Sequence, residues 1–206
     1  MSEHSDPTPP RIRAVILDWA GTVIDHGCRG PVQAFIAGFA EQGVTVTEAE
    51  ARTPMGMSKR PHIEAMCMMP SVSERWAAVH GGPPTEDDID AIYHRFVPIL
   101  LALLPDHCAP IPGVIEAVKA LQARGLAVGS TTGYPRAAME IVQPLAAEAG
   151  YTPQVVVTDD DVPAGRPAPW GIFRACEALG AYPMSQVVKA DDTVAGIRAA
   201  RNAGCW

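Results

Sequence analysis

From residue 111 to its end the chain alternates short apolar runs with helix-like stretches, and that alternation leaves few folds open. Ile111-Pro-Gly opens a helix that closes near Gly125, an apolar run fills 126–130, and another helix starts near Pro135. The run at 155–158 leads into a helix over 169–179, and the run at 187–190 into a helix that stops near Gly204. Strands separated by such helices have to lie parallel, joined by right-handed crossovers, in a sheet covered on both faces. The apolar run at 13–17 supplies one more strand to that sheet. Asn202-Ala-Gly-Cys-Trp206 reads as a helix end followed by the first residues of a further strand, so the C-terminal part of the core is expected to be truncated.

Between the first strand and this α/β half the period is helical. Val32, Phe35, Ile36 and Phe39 fall on one helix face. Thr47 with Glu50, and Ser71 with Glu74, have the spacing of a capping box, and Thr85 is placed to cap a helix carrying Ile89, Ile92, Tyr93 and Phe96. No strand pattern interrupts the stretch. The expected organisation is therefore a core domain built from 11–27 and 106–206, a helical cap domain at 28–105 inserted after the first strand, and a polar, proline-containing lead at 1–10 that is disordered.

Bulk properties narrow the function. The chain has 206 residues, enough for one core and a small insert, and a formal net charge of −7. That charge argues against nucleic acid as a partner, because a phosphate backbone attracts basic surfaces. No apolar run has the length of a membrane span, and the polar start holds no secretory signal. Five scattered cysteines without paired or metal-ligand spacing fit free thiols in a reducing cytoplasm.

The chemistry sits where the strands end. The first strand runs directly into Asp18-Trp-Ala20-Gly-Thr, which fixes a carboxylate at the carboxyl edge of the sheet, where open α/β folds bind their ligands. The next strand ends in Ser130-Thr131-Thr132-Gly133-Tyr134, whose hydroxyls and backbone N–H groups suit an anion. Then come Gly165-Arg166-Pro167, with a forked, permanently charged donor, and Ala190-Asp191-Asp192-Thr193, with hard oxygen ligands for Mg²⁺. Each piece alone also reads as a helix cap, a turn or a surface arginine. Four of them, in this order after successive strands, converge on one sheet edge.

These four loops resemble the motifs of the haloacid dehalogenase-like (HAD) phosphotransferases. Together with Ala51-Arg-Thr-Pro-Met55-Gly56, Lys59, His62 and Asn202-Ala-Gly, they resemble the phosphonoacetaldehyde hydrolase (phosphonatase) family of that superfamily, from about residue 11 to the last residue. The resemblance implies an α/β, HAD-like parallel three-layer sandwich with a small all-helical cap, and a Mg²⁺-dependent hydrolase that splits phosphonoacetaldehyde into acetaldehyde and phosphate. It also implies a homodimer formed through the caps. Asp18 is then the nucleophile, and Asp18, the Ala20 carbonyl and Asp192 are the metal ligands, with Asp191 an outer support or an alternative ligand. Some family members carry a further Asp where this chain has Gly196, so the resemblance leaves that outer support to Asp191 or to water. Lys59, His62, Thr132 and Arg166 take catalytic roles, and Cys28, Met55, Gly133 and Tyr134 line the substrate pocket.

Ala20 and Lys59 fit together chemically. HAD enzymes that cleave phosphate esters use an acid two residues after the nucleophile, and here that residue is alanine. A carbon leaving group needs an electron sink instead, and an amine that condenses with the aldehyde supplies one as an iminium. Local sequence alone reads Lys59 as a solvated helix-end lysine, but of the three lysines Lys119 belongs to a solvent face with Glu116 and Lys189 to the last strand beside the carboxylates, and Lys59 is the one placed in the cap. Ser58 is expected to cap its helix, putting Lys59 at the positive end beside Arg60 and lowering its pKa. His62, one turn further, reads either as a proton relay or as a polar residue on a wet helix face. A phosphatase or phosphomutase acting on a small phosphate ester, or a shortened inactive relative, are the competing readings.

Overall fold

The computed structural model describes residues 12–206, so the expectation for 1–10 lies outside the described residues. Four parallel strands form the sheet: β1 (Ala14–Leu17), β2 (Ala127–Thr131), β3 (Val155–Val157) and β4 (Val187–Ala190), in the order β3-β2-β1-β4. Leu17 stands level with Ser130 on one side and Ala190 on the other, so the loops after β1, β2 and β4 emerge side by side. Every residue of β1 is buried, as a central parallel strand requires. Its side chains alternate. Val15 and Leu17 join the larger core with the helical insert, while Ala14 and Ile16 join a second core on the opposite face.

The insert holds α1 (Arg29–Ala40), α2 (Glu48–Arg52), α3 (Lys59–Cys67), α4 (Pro70–His80) and α5 (Glu86–Leu103). Helices α6 (Val114–Ala123) and α7 (Arg136–Glu148) cover the sheet face that also meets the insert, and α8 (Trp170–Leu179) and α9 (Val194–Ala203) cover the other. The result is the three-layer sandwich expected, with a helical insertion after the first strand. Phe35 of α1 stacks on Phe96 of α5 with ring centroids 4.4 Å apart, which anchors the insert's own core.

Thr47 and Thr85 both form capping boxes, with Glu50 and Asp88. Ser71 does not. Helix α4 begins one residue earlier, at Pro70, whose fixed φ and missing N–H suit a first helical position, and the Ser71 hydroxyl donates instead to Glu50. Ser58 precedes α3 without capping it; its hydroxyl is used elsewhere. At the other end, the Trp206 N–H donates to the Val187 carbonyl at 3.0 Å and the Lys189 N–H to the Trp206 carbonyl at 2.7 Å, so the last residue already pairs alongside β4.

The chain leaves the core through residues 25–28 and returns through 107–111, and these two crossings are tied to each other. The Asp25 N–H donates to the Ala109 carbonyl and the Ile111 N–H to the Val23 carbonyl. The buried Asp25 carboxylate accepts from the Arg29 and Gly30 N–H groups at the start of α1 and lies 3.1 Å from His107 Nδ1. Asp25 and Cys28 both take the left-handed backbone conformation, at φ 50° and 52°, which turns the chain sharply at this point.

Candidate active site

Asp18 continues β1, its N–H still donating to the Ala190 carbonyl at 3.0 Å, so its carboxylate is fixed by the sheet itself. Around it, one cavity is lined by Asp18, Ala20, Cys28, Pro31, Met55, Gly56, Lys59, Thr132, Gly133, Tyr134, Arg166 and Thr193. Nine of the twelve residues singled out from sequence meet there. Asp191 and Asp192 lie alongside, and His62 sits one turn of α3 behind Lys59.

Arg166 reaches across the mouth of β2. One Nη donates to Asp18 Oδ1 and to the Thr131 carbonyl at 2.8 Å, and the other lies 3.1 Å from Asp191 Oδ2. Burial works against its charge, but Asp18 and Asp191 hold it protonated. Thr132 Oγ1 accepts from the Tyr134 N–H at 3.1 Å, a local turn that leaves its hydroxyl proton free for a ligand. The thiol of Cys28 donates to the Ala20 carbonyl at 3.2 Å, and burial, reinforced by Asp192 and Asp18, keeps it protonated.

The two neighbouring carboxylates divide their work. Asp191 has no exposed side-chain surface and binds the cations Lys189, at 2.9 Å, and Arg166, while the Thr193 N–H and hydroxyl donate to its other oxygen. Burial alone would raise its pKa, but Arg166 and Lys189 outweigh it and hold the carboxyl below its usual range. Its position depends on Gly196: a Cβ built there would stand 1.9 Å from the Asp191 carboxyl carbon. Asp192 lies toward solvent, with only the Thr22 hydroxyl at 3.2 Å and the Cys28 thiol at 3.5 Å as partners. Burial and then Asp18 push its pKa upward. Oxygens of Asp18, Asp191 and Asp192 all lie within 4.8 Å of one another, a crowd of hard anionic donors that fits a small divalent cation.

Lys59 enters from the insert. Its ammonium nitrogen is 5.1 Å from the Tyr134 ring centre and 5.8 Å from that of Phe35. Burial pulls its pKa down to about 8, against the opposing pull of Cys28, Asp18 and Asp159. The lowering expected from a helix N-terminus is thus produced mainly by desolvation. His62 is fully buried, not on a wet face. Its ring stacks on Phe35 at 3.8 Å, Nε2–H donates to the Ala51 carbonyl at 2.9 Å, and Nδ1 has no partner. Burial, with Lys59 second, takes its pKa down to about 3, so the ring is neutral. The Tyr134 hydroxyl is likewise buried without a partner.

Sequence reasoning placed Lys189 beside the carboxylates but gave it no role; a lysine two residues before Asp191 on a buried strand was the available signal. It did not anticipate Asp25, whose only mark is a carboxylate four residues ahead of a helix. Among the described residues, no helix is long and apolar enough to cross a membrane.

A family model of haloacid dehalogenase-like hydrolases matches residues 12–204. Phosphonoacetaldehyde hydrolase of Nitratidesulfovibrio vulgaris (strain Miyazaki F) is 49% identical over 195 residues, covering 95% of this chain and 70% of that protein. Phosphonoacetaldehyde hydrolase of Bacillus cereus (strain ATCC 14579) is 47% identical over 196 residues, covering 95% and 74%. The crystal structure of a phosphonoacetaldehyde hydrolase-like protein from Oleispira antarctica superposes with a TM-score of 0.94 at 37% identity, covering 100% of this chain and 75% of that one.

Proposed function

The chain belongs to the haloacid dehalogenase-like hydrolases and, within them, to the phosphonoacetaldehyde hydrolase family, and from that premise we propose how its residues cleave the carbon–phosphorus bond of phosphonoacetaldehyde to give acetaldehyde and phosphate. The observation that carries the reading is a buried amine, Lys59, in one cavity with the nucleophile Asp18 and with alanine at the position of an ester-cleaving acid.

Lys59, partly neutral near pH 8, adds to the aldehyde carbonyl and loses water to form an imine. The proton the amine loses goes to water and not to His62: one turn behind Lys59, that ring has a pKa of about 3 and stays neutral, so the relay that its place on the helix suggests is not available to it. Asp18 then attacks phosphorus. The electron pair of the breaking P–C bond moves into the protonated imine, which becomes an enamine, so no acid is needed at Ala20. Protonation at carbon and hydrolysis release acetaldehyde from Lys59, and water cleaves the aspartyl phosphate. Arg166 and the free Thr132 hydroxyl hold the phosphonyl oxygens, with Gly133 supplying backbone, while Met55, Tyr134 and Cys28 shield the reacting carbon from water.

Mg²⁺ is the cation these donors suit; Asp18 and Asp192, with the Ala20 carbonyl, would hold it, while Asp191 buttresses Arg166 and Lys189 from behind. When bound it neutralises charge on Asp18 and the phosphonyl group. The helical insert, residues 28–105, works as a cap over the core of 11–27 and 106–206, and the cap also forms the contact of a homodimer. A cytoplasmic setting goes with five free thiols.

Phosphate release from phosphonoacetaldehyde, together with borohydride reduction in its presence, tests the reading. Lys59 is expected to carry the reduced adduct. Ordinary turnover of phosphate esters by Lys59→Arg, with no adduct in the native protein, would overturn it.

A further inference from the structure

The residue just ahead of Lys59 makes a contact that local sequence does not require. The Ser58 hydroxyl donates to Asp159 Oδ1 at 2.7 Å, across 101 residues, and leaves its own helix without a side-chain cap. Asp159 lies in the turn after β3, and its N–H donates to the Tyr134 carbonyl, so this carboxylate is tied to the loop that carries Thr132 and Tyr134. The Arg166 loop closes the third side. A Cβ at Gly165 would stand 1.9 Å from Ser58 Oγ and 2.5 Å from Asp159 Oδ1, so glycine alone leaves room for the pair. The neighbouring residues fit as tightly: a Cβ at Gly133 would be 3.2 Å from the Met57 carbonyl oxygen, and one at Gly56 would be 2.2 Å from Thr193 Oγ1. Segment 56–58 of the insert is thus laid against three loops of the core, each of which holds part of the site.

We propose that Ser58 and Asp159 are positioning residues that latch the insert onto the core, with Gly165 as the space the latch closes into, and that this latch sets where the Lys59 amine sits relative to Asp18. The inference rests on the role given to Lys59 above. With the latch broken, segment 56–60 separates from the core more often, and the fraction of molecules ready to bind substrate falls; the apparent affinity falls by the same fraction. Bound substrate restores closure, so the effect appears in KM more than in kcat.

Ser58→Ala is expected to raise KM about 10–100-fold, the range that loss of a hydrogen bond to a charged group spans, with kcat changed less than about threefold. Amide hydrogen exchange over residues 54–60 of the free protein is expected to quicken by about the same factor, with the melting temperature nearly unchanged. Ser58→Thr, which keeps the hydroxyl, restores both, and Gly165→Ala, which forces the pair apart without removing it, reproduces the Ser58→Ala behaviour. Unchanged KM and unchanged exchange at 54–60 in Ser58→Ala would refute the latch. The exchange measurement needs no turnover, so it decides the latch even if borohydride fails to label Lys59 in the native protein, an outcome that counts against the imine instead.

Discussion

Replacing Asp191 by asparagine tests whether the ion cluster behind the nucleophile is held by charge or only by packing. Asparagine keeps the shape and removes the charge. Lys189 and Asp191 have no exposed side-chain surface and lie 2.9 Å apart, and Arg166, 9% exposed, lies 3.1 Å from the same oxygen. Arg166 keeps Asp18 as a charged partner, but Lys189 loses its paired carboxylate and keeps only neutral acceptors such as the Ala190 carbonyl at 3.2 Å. A buried ion stripped of its counter-charge costs about 3–5 kcal/mol. In a chain of this length each kcal/mol moves the melting temperature by about 2–4 °C, so the fall is about 6–20 °C. Urea unfolding with a chelator present reads the folded protein without any contribution from bound metal, and the midpoint is expected to drop at unchanged slope. Lys189→Met in the same chain removes the stranded cation and is expected to recover most of the loss, because the large cost comes from the buried unpaired charge and none is then left at that position. A loss below about 1 kcal/mol, or no recovery in the double variant, would refute the charge argument.

Gly196→Ala places a methyl group 1.9 Å from the Asp191 carboxyl carbon and is expected to reproduce much of the Asp191→Asn destabilisation in the same urea assay. Borohydride trapping is expected to climb with pH as Lys59 loses its proton: a pKa of about 8 leaves roughly a tenth of the amine neutral at pH 7 and half at pH 8, with a plateau above. Stability carries the matching sign. Between about 8 and the ordinary lysine value the unfolded chain binds more protons than the folded one, so Lys59 contributes a rise in unfolding free energy with pH, which a pH series of urea curves on native protein and Lys59→Met resolves. Lys59→Met itself is expected to lose adduct and turnover while melting no lower than the native protein, since it removes a buried charge. Chelation is expected to stop phosphate release and leave the reducible Lys59 adduct intact, because the carboxylate cluster and the amine serve different halves of the reaction.

The core was legible because a buried parallel strand has little freedom in sequence. The runs at 13–17 and 187–190 are bounded by the carboxylates they present, and β1 and β4 begin and end within a residue of where the pattern puts them. The cavity was legible for the same reason: Asp18, Thr132, Arg166 and Asp192 follow strand ends, and strand ends meet. Contacts that cross the insert and the core left no such mark. Ser58 has the residue type and place of a helix cap, and only the three-dimensional path brings Asp159 close enough to claim its hydroxyl. Pro70 overrides Ser71 because a ring at the first helical position fixes the start, whatever the capping pattern one residue later. His62 sits on a helix of low apolar content, and its burial follows from Phe35 on α1, which spacing within α3 does not reveal. The charge at Asp191 was visible, but its task depends on an empty space over Gly196.

The tied crossings between core and insert set where the insert stands over the cavity. Because Asp25 binds the first turn of α1, the Ala109 carbonyl and His107 together, the outgoing and returning strands of chain behave as a single ribbon. Two strands of chain tied in this way resist shear, which fixes the sideways placement of the insert relative to Asp18. Cys28 stands on that ribbon with its thiol on the Ala20 carbonyl. That bond joins the crossing to the loop after Asp18, so the path by which the chain enters the insert is fixed at the rim of the cavity.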